Sequence, residues 1–166
     1  MPTNLFGETY ETTGEYSRRL LLLGVKQPYY KIVRNVHSNH KCSIVFLDKD
    51  YNKKSYSEFD ISGLYAIYNG IPDKDNCLYV GVSNSSISYR IYRFVKELND
   101  LSMDCEDHPG ARKARLFGIK DDRLYVKILP KSLFPKKKDN SFVDDFVIDE
   151  YIANMLQSRF NKVKRK

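Results

Sequence analysis

"GLYAIYNGIPDKDNCLYVGVSN", running from Gly63 to Asn84, holds two short apolar runs joined by a polar turn. The turn is rich in Gly, Pro, Asn and Asp, the residues that supply turn conformations, so the stretch reads as a β-hairpin. Side chains alternate across a strand. Tyr65 and Ile67 therefore share one face, opposite Leu64, Ala66 and Tyr68, while Tyr79 and Gly81 share a face opposite Leu78, Val80 and Val82. Tyr65 and Tyr79 are expected to point the same way, with Gly81 leaving space beside them. A glycine inside a strand often marks close approach of a ligand or another backbone. Two tyrosines packing on a helix as ordinary core is the plainer alternative, and the hairpin alone does not choose between them.

The chain has 166 residues, which suits one domain, or one domain with an extension. Hydrophobic residues make up 42%, enough for a real core and against global disorder. No apolar run approaches the roughly 20 residues that span a bilayer. The N-terminal residues lack a positive segment followed by an apolar one. A cytoplasmic protein with no membrane partner is the expectation. Cys42, Cys77 and Cys105 form no Cys-x-x-Cys pair, which fits a reducing compartment. His37, His40 and Cys42 lie close in sequence, but a zinc site needs four ligands and no second cluster supplies the rest. A polar loop entering a strand is the simpler reading.

Lys and Arg number 28 against 21 Asp and Glu, a net charge of +7. The basic residues gather in "ARKAR" (111–115), "PKKK" (135–138) and "NKVKRK" (161–166). Such an excess favours a polyanionic partner, because each neutralised phosphate releases counterions. A basic soluble surface is the alternative, and charge by itself names no chemistry.

Residues 15–25 read as a short helix, and 29–35 and 41–48 as strands rich in β-branched residues. Residues 49–59 read as a polar connector. Residues 1–60 thus form a helix-and-hairpin extension too small for its own core. After the quoted hairpin, 84–100 reads as a helix with an Ile87, Ile91, Phe94, Val95, Leu98 stripe. Arg90 lies at the edge of that stripe, with Arg93 and Lys96 farther round towards solvent. A boundary arginine either snorkels or leans over the sheet edge to meet a phosphate. A short basic helix (111–119), a strand (123–130) and a Lys-rich loop follow.

The last helix, 141–161, has Ser141 as its expected N-cap. Successive residues turn by ~100°. With Val147 at the centre of the apolar face, Glu150 falls between Val143 and Phe146, and Asn154 almost at the centre. Asp144, Asp145 and Asp149 fall elsewhere, towards solvent. A glutamate on an apolar face is costly unless paired or metal-bound, so Glu150 is read either as the partner of an arginine or as a metal ligand.

Taken in order, "GLY" (63–65), "YVG" (79–81), Arg90 on the following helix, and Glu150 and Asn161 in "EYIANMLQSRFN" resemble the GIY-YIG nuclease family. The resemblance covers roughly residues 61–162, leaving 163–166 as a basic tail. It implies an α+β fold: a GIY-YIG-like core with a small three-stranded antiparallel sheet flanked by helices, carrying the N-terminal helix and hairpin extension. It implies Tyr65 as general base, Tyr79 orienting water or phosphate, Arg90 on the scissile phosphate, and Glu150 holding one divalent cation, Mg²⁺ with Mn²⁺ as a substitute. Asn161 is implied to brace the last helix. Many members carry His or Tyr one turn after the arginine, where this chain has Phe94. Tyr89, Tyr92, His108 or Lys74 are the substitutes within reach in sequence.

The 60-residue extension and the Lys-rich loop look like the small type II restriction endonucleases of that family. That likeness implies sequence-specific cutting of double-stranded DNA by a homodimer. Candidate DNA contacts are Arg93, Arg112, Lys113, Arg115, Lys136, Lys137 and Lys138, with phosphate contact favoured over base reading. A mobile-element or structure-specific nuclease of the same family, and a nucleic-acid-binding module without catalysis, are the competing expectations.

Overall fold

The computed structural model describes residues 11–36, 42–99, 108–137 and 145–161. The expected hairpin is present as β4 (Gly63–Asn69) and β5 (Cys77–Ser83), with Tyr65 opposite Gly81 and Ile67 opposite Tyr79. Asn76 closes its turn, accepting from the Asp73 amide at 2.8 Å and donating to the Ile71 carbonyl at 2.8 Å. β4 lies inside the sheet and pairs on its other side with β6 (Leu124–Pro130). Residues Leu64 to Tyr68 are buried whichever way they point, because helices cover both faces. That explains why this strand is continuously apolar rather than alternating.

The sheet has six strands, all antiparallel, in the order β3-β2-β1-β6-β4-β5. The three strands expected for the core, β6-β4-β5, are one half of it. The other half comes from the extension: β1 (Tyr29–Val36), β2 (Cys42–Leu47) and the short β3 (Lys53–Lys54). Tyr29–Lys31 pair with Tyr125–Lys127. Without them β6 would be an open edge with unpaired backbone groups. Residues 29–54 therefore continue the sheet of the core. A 3-10 turn, Tyr56–Phe59, follows, and Phe59 packs on Tyr30 and Phe46.

One face of the sheet is covered by α1 (Thr13–Val25) and α4 (Asp145–Leu156), which also pack on each other. Thr12 and Glu15 cap α1 reciprocally, each satisfying the other's backbone amide. Tyr16, Leu20, Ile148, Ile152 and Ala153 meet Leu64, Ala66, Tyr68, Val80 and Leu129 there. The opposite face is covered by α2 (Ile87–Leu98), capped by Ser86, and by α3 (Pro109–Leu116), capped by His108. Ile87, Ile91, Phe94 and Val95 of α2 bury against Tyr65, Ile67 and Val126, as the stripe in the sequence led one to expect.

Two expectations for the last helix need correction. Its buried stripe is Ile148, Ile152 and Ala153, and Glu150 and Asn154 are exposed. Glu150 lies about 200° round the helix from Ile148, whereas Asp149 lies about 100° round, among Ile152, Ala153 and Leu156. The helix also stops at Leu156 instead of running to 161. Gln157 takes a left-handed conformation at φ 52° and turns the chain back along β5. The amides of Arg159 and Phe160 donate to the carbonyls of Cys77 and Leu78, so this segment covers the outer edge of β5. The expected N-cap Ser141, together with His37, His40, Lys138 and the tail 163–166, lies outside the described residues.

Candidate active site

The hairpin register brings Tyr65 and Tyr79 onto the α2 and α3 face, with ring centroids 6.4 Å apart. Tyr65 is buried and Tyr79 half-buried. A Cβ on Gly81 would fall 2.5 Å from Tyr65 Cζ, and one on Gly110 would fall 2.8 Å from Tyr79 Cδ1. Real Cβ atoms do not approach so closely, so a glycine makes room for each ring. The Gly81 space was expected from the sequence. The Gly110 space was not, because nothing local placed α3 over Tyr79.

Arg90 projects from the first turns of α2, exposed, and its positive charge acts on both tyrosine hydroxyls. Arg93 acts on both as well, but it is buried, with its guanidinium 6.0 Å from the Tyr89 ring centroid. The expectation of a solvent-facing Arg93 is therefore corrected. The reason is α3, which packs along that side of α2 and buries Arg93 and Glu97. Arg115 contributes to the same packing, donating to the Glu97 carbonyl at 2.9 Å.

The carboxylate that acts on both hydroxyls is Asp149. It is half-buried, whereas Glu150, the residue that the sequence pointed to, is exposed one position further round α4. The carboxylate beside the buried stripe of α4 is therefore Asp149, and Glu150 lies on the exposed side of the helix. The signal was in the sequence but depended on phasing α4 on Ile148 and Ile152 rather than on Val147.

Burial is the main influence on both hydroxyls and pushes their ionisation well above the ordinary tyrosine value. For Tyr65 the neighbouring Tyr79 and then Asp149 push the same way, while Arg90 and Arg93 oppose. For Tyr79 Asp149 adds to burial, and the two arginines again oppose. At neutral pH both are proton-bearing O–H groups.

His108 reaches the site from the loop before α3. Its ring is buried, 4.9 Å from that of Tyr79 and 5.3 Å from that of Phe94. Its Nδ1 accepts from the Ala111 amide at 3.1 Å, capping α3; in the neutral ring the proton then sits on Nε2. Phe94 itself is fully buried, 5.9 Å from the Tyr79 ring. Of the other proposed substitutes, Tyr89 is exposed with the Arg93 guanidinium 6.0 Å from its ring centroid, and Tyr92 carries Lys96 over its ring at 5.2 Å. Lys74 is exposed in the hairpin turn, at the end remote from α2. Asn161 clamps β5, its Oδ1 accepting from the Val80 amide and its Nδ2 donating to the Val80 carbonyl, both at 2.8 Å. It braces the edge strand rather than a helix.

Of the expected DNA contacts, Arg112 and Lys113 are exposed on α3. Lys136 is exposed beside α1, where its carbonyl meets Arg19, and Lys137 is half-buried next to it. The basic helix and the Lys-rich loop thus serve opposite faces of the sheet. Comparison of the chain with family models, curated proteins and solved structures gives no match. Among the described residues no helix is long and apolar enough to cross a membrane.

Proposed function

We propose that this protein is a GIY-YIG-type endonuclease that hydrolyses phosphodiester bonds in double-stranded DNA, a sequence-specific restriction enzyme working in the cytoplasm as a homodimer. The observation that carries the reading is the pairing of Tyr65 and Tyr79 on one face of the hairpin beside Gly81, ring centroids 6.4 Å apart. The charges of Arg90 and Asp149 act on both hydroxyls.

Each group has a task in phosphoryl transfer. Arg90, exposed at the mouth, takes the scissile phosphate and neutralises the charge that grows on it. Tyr79 donates its O–H to a phosphate oxygen or to the attacking water. Tyr65 takes the water's proton, and to do so it must first give up its own. Burial, Tyr79 and Asp149 oppose that loss and Arg90 and Arg93 favour it; the bound phosphates add further opposing charge, which a divalent cation would have to offset so that the proton can pass to solvent. Buried His108 packs against the Tyr79 ring, 4.9 Å between centroids.

A divalent cation, Mg²⁺ or Mn²⁺, would supply charge neutralisation and stabilise the leaving 3′ oxygen. Mg²⁺ is commonly held by one or two carboxylates and the substrate phosphate, keeping several waters. Asp149, whose charge acts on both tyrosine hydroxyls, or the exposed Glu150 would be the carboxylate to hold it. No group of three His, Cys, Asp or Glu side chains gathers among the described residues, so a closed protein cage is not what this site offers.

The test is incubation of the purified protein with plasmid and long phage DNA in Mg²⁺, beside EDTA and the Arg90→Ala, Asp149→Ala and Glu150→Ala variants. Discrete fragments, lost in EDTA and in Arg90→Ala, support a sequence-specific nuclease. A smear, or cutting confined to branched DNA, sinks the restriction reading in favour of another nuclease. Binding without cutting on every substrate sinks catalysis and leaves a nucleic-acid-binding module.

A further inference from the structure

Leu116 and Phe117 are 77% and 66% exposed. They are the one pair of adjacent large hydrophobics left open among the described residues. They sit at the C-terminal end of α3, where Gly118, at φ 82°, donates to the Arg115 carbonyl at 2.9 Å and ends the helix. Ile119 then returns to the core, so the helix end is fixed on both sides. The Phe117 ring is held as well: Phe160, itself buried, packs 5.6 Å away, and the Arg159 guanidinium lies 5.1 Å from its centroid. The ring is held by these two contacts and still two-thirds exposed, so little further ordering is needed for it to stack on something.

The surroundings say what that partner is. Arg112, Lys113, Lys120 and Arg159 are exposed around the pair. An apolar tip ringed by cations suits a polyanion that also offers flat apolar surfaces, which is a nucleic acid. The placement points the same way. α3 starts on the candidate site, with Gly110 against the Tyr79 ring and His108 beside it. Phe117 lies seven residues further on, about 10 Å along the helix. With α3 lying along the duplex, at ~3.4 Å per base pair, that reach is about three base pairs.

We propose that Leu116 and Phe117 form an apolar wedge that enters the base stack of bound duplex DNA about three base pairs from the scissile phosphate. The proposal rests on the nuclease reading of the Tyr65–Arg90 site. Arg112, Lys113 and Arg159 take the flanking phosphates, and the unstacking that the wedge imposes costs least at flexible pyrimidine–purine steps. The wedge thereby contributes to site selection without a hydrogen bond to any base.

The experiment uses duplexes carrying 2-aminopurine at successive positions on either side of the mapped cut, bound to full-length protein with Ca²⁺ in place of Mg²⁺. Wild type is compared with the double variant Leu116→Ser, Phe117→Ser, both positions being exposed enough for the fold to be retained. Circular dichroism and Tm check that retention. The expected result is a fluorescence rise centred about three base pairs from the cut, absent in the variant, with affinity roughly 10-fold weaker or more. Unchanged fluorescence with wild type that still binds and cuts the DNA overturns the wedge and leaves the nuclease reading intact. Failure of wild type to bind or cut any duplex overturns both. Conversion of a dimer into a monomer by the double variant, followed by sedimentation, overturns the wedge by identifying the tip as a contact between copies of the chain.

Discussion

Gly81 lies directly beneath the Tyr65 ring: a Cβ there would stand 2.5 Å from Tyr65 Cζ and 2.8 Å from its Cε1. The two residues face each other across the β4–β5 pair, so neither can shift without moving a strand. In Gly81→Ala the phenol must swing away, because the strand is locked by β4 on one side and by the 159–161 segment on the other. Overpacking of this kind costs about 1–3 kcal/mol. The Tyr65 hydroxyl also leaves its place beside Arg90. The expected outcome is a folded protein with a modestly lower urea midpoint and cleavage reduced by far more than the stability change accounts for. Normal cleavage by Gly81→Ala would show that the Tyr65 position does not matter to the chemistry.

Asp149 and Glu150 are neighbours that α4 sends in different directions. Asp149→Asn removes the negative charge that acts on Tyr65 and Tyr79 while keeping the shape of the side chain. Its cleavage rate is expected to fall on the order of 100-fold, the scale on which preorganised charge at a reacting group counts. Glu150→Gln is expected to fall less. Single-turnover rates on one plasmid site, with Mg²⁺ titrated for each variant, decide between them. The reverse ranking, with Glu150→Gln the more damaged and needing more Mg²⁺, would return the metal to Glu150.

Why the sequence led to Glu150 and not Asp149 is a matter of phase. An apolar stripe on a helix of twelve residues is set by three or four positions, and α4 offers two choices. The pattern read from the sequence centres one stripe on Val147, and Ile148, Ile152 and Ala153 make another about 150° away. Only the packing partner, here α1 and the outer face of the sheet, selects between them. The hairpin was legible because its period of two leaves no such freedom: once β4 and β5 pair, Tyr65, Tyr79 and Gly81 are fixed. The six-stranded sheet was not legible for a related reason. The strands of the extension could be read locally, but their docking on β6 depends on a contact nearly a hundred residues away, Tyr29 opposite Lys127. The burial of Arg93 and the place of Gly110 against Tyr79 were not legible for the same cause, since both depend on α3 packing on the rest of the core.

Asn161 holds the outermost strand through both backbone groups of Val80, and Ser158 donates to the same Asn161 Oδ1 at 2.6 Å. Val80 is fully buried, so water cannot take over its amide and carbonyl when the side chain is cut back. Asn161→Ala is expected to cost about 1–3 kcal/mol, lowering Tm by roughly 3–10 °C. Because the clamp acts on the strand and not on substrate, cleavage per folded molecule at low temperature is expected to stay close to wild type. A large loss of activity with Tm unchanged would mean instead that Asn161 works in the site itself.

Tyr65, Tyr68 and Tyr79 all have hydroxyls that burial pushes above the ordinary tyrosine range. Unfolded tyrosine ionises near pH ~10. Below that value folded and unfolded chains hold these protons equally and the groups add no pH dependence. As pH rises past it, the unfolded chain releases protons that the folded chain keeps, so stability falls with rising pH. Urea midpoints measured at about pH 8 and about pH 10.5 are expected to drop for wild type and to drop less for Tyr65→Phe, which has no proton to lose at that position. Native-state absorbance titration is expected to leave these tyrosines un-ionised until the protein unfolds. The sequence of events also bears on mechanism: if Tyr65 stays protonated in the free enzyme to alkaline pH, then the rise of cleavage rate with pH in the DNA complex measures how far the cation and Arg90 draw that proton off against the bound phosphate. An identical alkaline loss of stability in wild type and Tyr65→Phe would remove Tyr65 from this account.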